Sequence, residues 1–307
     1  MEGERKTMYA MLDVDTAGGA GFPEVSSDLL AHAVRAVAPV FWESAMRAWP
    51  FAERENLGGP LGRPGTLWGE VYVWNPERRL GDPRPLSPES LEWMTRELAE
   101  YPTSAELRLC VLGAEADPEL GPELAEEFIR VSLSVDEDWP WVAQLQVVST
   151  LSPEREGDTA ERSRRWADFL HAAAVKVDPT YGHVCDDQPT LGVTALDGAI
   201  HGRTGRASIR RGRELLRGYS WVTVLPSELV RTLGGVAALE RSGAFFRVRE
   251  LPAGAVWLQA CEELADYDDE VMERVFEALA PVLPEGTPEA DPTLKGPQRL
   301  VWRSARR

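Results

Sequence analysis

Residues 129–148 limit the choice of fold more than any other stretch. Ile129, Val131, Leu133 and Val135 alternate with Arg130, Ser132 and Ser134. The turn Asp136-Glu137-Asp138-Trp139-Pro140 follows, and Val142–Val148 reads as the returning strand. Period-two alternation gives each strand one apolar face, and two such strands joined by a short turn pair antiparallel. Phe245–Arg249 and Ala255–Ala260 repeat the pattern around Pro252-Ala253-Gly254. Adjoining strand pairs set among helical stretches predict an α+β fold, with mixed or antiparallel sheets and helices packed on one face, rather than a doubly wound parallel sheet. No repeat period is present, so a solenoid is not expected, but a loose division into two related halves is compatible with this order of elements.

The remaining elements follow from local signals. Met8–Val14 is a predicted strand with Met8, Ala10, Leu12 and Val14 on its apolar face. Ser26 or Ser27 is the expected cap of a helix carrying Leu30, Ala33, Val34, Val37 and Phe41, with Pro39 kinking or splitting it. Leu67–Trp74 reads as a strand and 76–88 as a proline-rich loop. Ser87-Pro88-Glu89 combines a hydroxyl cap, proline at the first position and an acid near the positive dipole end, and so starts a helix over 89–100. Leu107, Leu109 and Val111 alternate as a strand. Asp158 and Glu161 mark the start of a helix burying Trp166, Phe169, Leu170, Ala173 and Val177. Strands are expected near Tyr181–Cys185 and Tyr219–Leu225, and Pro226 begins a short helix stopping at Gly234-Gly235. Asp268-Asp269-Glu270 loads the start of a helix that buries Val271, Met272, Val275, Phe276 and Leu279. The acidic, proline-containing stretch AEADPELGPELAE at 114–126 suggests an N-terminal half, 1–120, and a C-terminal half, 121–307, forming two domains or one continuous one.

Charge narrows the partners. The 307 residues include 33 Lys+Arg and 50 Asp+Glu, for a formal net charge of −17. Phosphate backbones and anionic membrane surfaces are repelled by such a chain, whereas a basic protein is attracted. Cys110, Cys185 and Cys261 are few, odd in number and far apart, which fits a reducing cytoplasm better than a disulfide framework. The N-terminus, MEGERKTMYAMLDVD, carries acids where a signal peptide has its apolar core, and no stretch approaches the ~18 apolar residues of a membrane span.

Catalytic signatures are absent: nothing reads as a phosphate-binding GxxxxGK[ST] loop or a GxSxG nucleophile elbow, and no cofactor or metal is expected. Gly202 to Arg217 is the one basic stretch, with six arginines against Glu214. Arg203 and Arg206, within Gly202-Arg203-Thr204-Gly205-Arg206, are candidate anion ligands; pairing of the stretch with neighbouring acids is the competing reading. His183 and Cys185 share a strand face two residues apart, and with His201 and Arg203 they outline a candidate small-ligand pocket, but a second short ligand pair is missing. Trp42, Trp93, Trp166, Trp221 and Trp257 sit at core positions. Trp139 and Trp141 differ, because they flank Pro140 beside Asp136, Glu137 and Asp138. An exposed Trp ringed by carboxylates is an anchor for a basic partner, so these five residues are the candidate partner-binding site.

The core of the segment from Arg217 to Pro284, GYSWVTVLPSELVRTLGG, together with the upstream WADFLHAAAVKVDPTYGHV, resembles bacterial immunity proteins of the type VI immunity family. The resemblance rests on scaffold positions (Tyr219, Trp221, Leu233, Gly234 and Gly235) and carries over no binding residues. It implies a cytoplasmic antitoxin of bacterial competition, a non-enzymatic toxin inhibitor that binds a cognate toxin or effector and blocks it by occlusion. The alternative from the residues alone is a small-ligand-binding protein or enzyme with its pocket near His183, His201 and Arg203.

Overall fold

The computed structural model describes residues 7–16, 22–48, 65–75, 80–100, 104–112, 127–136, 139–187, 196–197, 206–285 and 299. The chain forms two compact units. The first comprises Met1–Thr7 and Ala20–Asp158, the second Met8–Gly19 and Thr159–Arg307. Its fold is α+β, and every strand pairing described below is antiparallel.

The first unit contains strands β2 (Leu67–Asn75), β3 (Leu80–Pro85), β4 (Ala105–Val111), β5 (Glu127–Asp136) and β6 (Trp139–Ser149), in the order β3-β2-β4-β5-β6. The boundary expected at 120/121 falls between β4 and β5, which pair from Ala105↔Leu133 to Val111↔Glu127. The expected hairpin over 129–148 is present, with Val131 opposite Val147 and Leu133 opposite Leu145. Part of the loop expected over 76–88 is instead the strand β3. Its Pro83 and Pro85 lack a ladder donor, a pattern that sits at a sheet edge, and β3 ends the strand order.

Helices α1 (Phe22–Val37), α2 (Pro39–Ala48) and α3 (Pro88–Glu100) cover this sheet. α1 packs on β4 and β5 and against α3, which rests on β2, so α1 and α3 share a face. α1 starts earlier than its expected serine cap: Ser26 lies inside the helix and is buried. Pro39 splits the helix as expected, α1 ending at Val37 and α2 starting on the proline. At α3 the cap is reciprocal. Ser90 N–H donates to Ser87 Oγ at 3.0 Å, and Ser87 N–H donates to Ser90 Oγ at 2.8 Å, a capping box with serine in place of glutamate. A short helix, α4 (Pro153–Glu156), closes the unit.

The second unit contains β1 (Met8–Asp15), β7 (Pro179–Cys185), β8 (Val222–Leu225), β9 (Arg247–Glu250) and β10 (Val256–Gln259), in the order β1-β7-β8-β10-β9. Its described residues include helices α5 (Thr159–Val175), α6 (Arg206–Arg210), α7 (Ser227–Thr232), α8 (Val236–Arg241) and α9 (Asp269–Leu279). α5 lies on β1, β7 and β10. Leu12, Gly182, Val224 and Trp257 stand in register across four strands on the α5 side, where His171 meets Trp257 edge-on at 5.6 Å. A Cβ on Gly182 would stand 2.9 Å from Leu12 Cδ1 and 3.1 Å from the Met11 carbonyl oxygen, so any larger residue there would make its neighbours give way.

Here the one-sided reading of Met8–Val14 gives way. Asp13 and Tyr181, on the opposite side of the sheet, are as buried as Leu12, and β7 is buried along its whole length. The expected strand over 219–225 shortens to β8. The motif residues before it are core: Trp221 is buried and its Nε1–H donates to the Cys261 carbonyl at 2.9 Å. Gly234 and Gly235 have φ of +87° and +84°. Gly235 N–H donates to the Val230 carbonyl and Gly234 N–H to the Arg231 carbonyl, so the pair ends α7 in a Schellman motif. At α9, Asp268 accepts the Val271 N–H at 2.9 Å, and all five apolar residues expected to be buried are buried.

Candidate functional site

The hairpin of β5 and β6 places the candidate partner-binding residues at its turn. Alternation buries Ile129, Val131 and Leu133, and after a bulge Asp136 stands opposite Trp139 in register. Trp141 is 48% exposed, while Trp42, Trp93, Trp166, Trp221 and Trp257 are all buried. A large apolar ring held in water on a paired strand is available to a partner. Glu137 and Asp138 lie outside the described residues, and the side chains of Asp136 and Trp139 are likewise not described.

The basic stretch divides. His201 and Arg203 lie outside the described residues, and of Arg206 only the backbone, at the start of α6, is described. The arginines further along bind carboxylates. Arg211 pairs with Glu214 at 3.0 Å. Arg213 reaches Asp178 at 2.7 Å, Glu228 at 3.1 Å and Asp15 at 3.3 Å, tying the ends of β1 and β7 to α7. Arg217 is fully interior at 1% exposure. Its Nη1 donates to Asp13, its Nη2 to Asp197 Oδ2 at 2.9 Å and its Nε to Ser208 Oγ at 3.1 Å. Ser208 in turn donates to Asp197 Oδ2 at 3.2 Å, and the guanidinium lies over the Tyr181 ring at 5.2 Å. Burial alone would lower the Arg217 pKa, but Asp13 and Asp197 outweigh it and hold the group above its ordinary value. Arg211, Arg213 and Arg217 are thus held by carboxylates.

His183 and Cys185 lie in β7 and are completely buried. His183 stacks at a tilt on Tyr181, 5.5 Å away. Burial pushes the Cys185 thiol well above its ordinary range, the opposite of a reactive or ligating cysteine. The small-ligand pocket expected around these two side chains is thus closed to solvent on the side they would form. Among the described residues no cluster of three His, Cys, Asp or Glu is arranged to hold a metal, and no helix is long and apolar enough to cross a membrane.

Sequence reasoning missed the charge cluster at the end of β7. Asp186 grips Arg299 through both oxygens, at 2.6 and 2.8 Å, and Asp187 accepts the Arg299 backbone N–H at 2.8 Å. The same guanidinium donates to the Tyr267 carbonyl at 2.6 Å. Asp187 is buried, and burial, with Asp186 beside it, pushes its pKa up to about 6 despite the Arg299 N–H. The 113-residue separation from Asp186 to Arg299 hides this contact from any local pattern.

No protein-family model matches the sequence, and no curated protein matches it. Among solved structures, this chain is similar to a Pseudomonas aeruginosa T6SS protein, PA0821. The two are 12% identical, with a TM-score of 0.51, over 97% of this chain and 80% of that one. The likeness at that identity is one of fold, and it extends over both units.

Proposed function

We propose that this chain is an immunity protein that binds a cognate bacterial toxin and neutralises it by occlusion in the cytoplasm, within type VI-related bacterial competition. The observation that carries this reading is the near full-length fold likeness to a T6SS protein, taken with the resemblance of residues 217–284 to the type VI immunity family. Two features support a binding role without a catalytic one. The net charge of −17 steers a basic partner toward the surface, and Trp141 offers an exposed aromatic anchor. No cofactor and no membrane enter the reading.

A double variant, Trp139→Ala with Trp141→Ala, tests where the partner docks. With the toxin that the chain neutralises as titrant in calorimetry, the dissociation constant should rise about 30-fold or more, the loss of a buried aromatic anchor. An unchanged affinity in a folded double variant would remove the hairpin turn from the interface.

A further inference from the structure

The outer strand of the second unit carries backbone groups that no described residue uses. β9 ends the order β1-β7-β8-β10-β9. β8 and β10 are buried at every residue, whereas Arg247, Val248 and Arg249 are half-exposed and Glu250 is exposed. Two bonds fix the phase of the ladder. Ala260 N–H donates to the Trp221 carbonyl at 2.9 Å, and Leu251 N–H donates to the Ala255 carbonyl at 2.8 Å. Even-numbered residues of β10 thus turn their N–H and C=O groups to β8, and odd-numbered ones to β9. Arg249 and Arg247, opposite Trp257 and Gln259, are therefore the β9 residues bonded to β10. The phase breaks only before the strand, where Phe246 N–H reaches the Ala260 carbonyl at 3.2 Å. Val248 and Glu250 point their backbone groups outward. No hydrogen bond from a described residue reaches them, α8 included, although it packs against β9.

An open edge of this kind is a template for another strand, and proteins commonly blunt it. β3, the end strand of the first unit's order, is blunted by Pro83 and Pro85. β9 has no proline. It has Arg247 and Arg249, on the sheet face that Trp257 shares, with Val248 on the other face. Arg249 lies over the Trp257 ring at 5.3 Å, with Asp168 at 3.9 Å. Arg247 lies over the Phe246 ring at 5.1 Å and pairs with no carboxylate among the described residues. Phe246 itself is 49% exposed. The arginines disfavour a second copy of this chain as the occupant, because outward backbone groups must meet outward groups. Val248 set on Val248 of the copy puts Arg247 against Arg249 twice, and Val248 set on Glu250 puts Arg249 against Arg249. Like charges directly opposite each other destabilise a strand pair.

We infer that β9 takes up an extended segment of a partner protein as an added antiparallel strand, with acidic residues opposite Arg247 and Arg249 and an apolar residue opposite Val248. The segment exchanges backbone hydrogen bonds with Val248 and Glu250. Arg247 and Arg249 then face it as non-hydrogen-bonded pairs, the closer kind at about 4.5 Å between Cα atoms, so a glutamate there is within reach of either guanidinium. Backbone bonds supply the affinity, and the alternation of charge supplies the choice of partner. The inference concerns how a partner docks and does not rest on the immunity reading.

The probe is the peptide acetyl-Thr-Glu-Val-Glu-Val-Thr-amide, titrated into the full-length ¹⁵N-labelled protein. Its lysine counterpart, acetyl-Thr-Lys-Val-Lys-Val-Thr-amide, is the control. Saturable shifts are expected along 246–250 with the acidic peptide alone. Amide exchange at Val248 and Glu250 should slow about tenfold at about nine-tenths occupancy, because only the free tenth exchanges, while Arg247 and Arg249 are already bonded to β10 and change little. Val248→Pro removes an outward donor and no ladder bond, so it should stay folded and lose the peptide. Arg247→Glu, at a half-exposed position, should weaken the acidic peptide and admit the lysine one. Absent shifts, equal responses to the two peptides, or binding that persists in Val248→Pro would each overturn the inference. So would protection of Val248 and Glu250 that grows with protein concentration alone, which would assign the edge to a second copy. A toxin that fails to bind leaves the peptide result standing, and an edge that takes no peptide leaves toxin binding untouched.

Discussion

Replacing Arg217 by methionine should cost the second unit about 3–5 kcal/mol, the loss expected when one partner of a buried ion cluster is removed. Asp13, Asp197 and Arg217 are each about 1% exposed, so the variant removes a cation from two interior carboxylates. The Arg217 pKa is raised, far from the working range, so the loss should not vary between pH 6 and 9 on its account. Native-state hydrogen exchange at the amides of β7 and β8 reads the second unit alone. Adding Asp13→Asn and Asp197→Asn to Arg217→Met should recover most of the stability, because a neutral, hydrogen-bonding interior no longer requires the cation. A loss below about 1 kcal/mol in the single variant, or no recovery in the triple one, would contradict the ion cluster's role.

Asp187→Asn should act in the other direction. The folded pKa of Asp187 is about 6, against an ordinary value of 3.8. A carboxyl raised in this way contributes its full stability below pH 3.8, and loses it as the pH climbs through about 6, because the unfolded chain ionises first. Two units correspond to about 3 kcal/mol. Asparagine keeps an acceptor for the Arg299 N–H without a charge to desolvate. The variant should therefore be more stable than the parent by about 2–3 kcal/mol at pH 8, with the gap closing to near zero by pH 4. Denaturant midpoints measured across that range check this. A difference independent of pH would place the cause elsewhere.

Local chemistry was legible in the sequence wherever neighbours in the chain are neighbours in space. The hairpins at 129–148 and 245–260, the caps at Ser87 and Asp268 and the break at Pro39 all depend on residues within a few positions of each other. Trp42, Trp93, Trp166, Trp221 and Trp257 are buried as expected for the same reason, since helical and strand periodicity identifies the buried face. What failed was long-range. β1 reads as a one-sided strand, because alternation cannot reveal that Arg217 covers its second face from 204 residues away. An acid inside the apolar run Met11-Leu12-Asp13-Val14 was the one signal that a distant cation was required. β3 reads as loop because proline lowers strand propensity everywhere except at an edge, and edges are set by tertiary pairing. His183 and Cys185 share one strand face in the sequence, and β7 is buried along its whole length.

Rescue from toxicity tests the central claim most directly. A candidate effector, sought among the genes neighbouring the one that encodes this chain, is expressed in a heterologous bacterium with and without this chain. Growth arrest by the effector alone, relieved by co-expression of the chain and accompanied by a stable complex of the two proteins, is the predicted result. An effector that arrests growth equally in the presence of the folded chain, with no complex recovered, would contradict the immunity assignment.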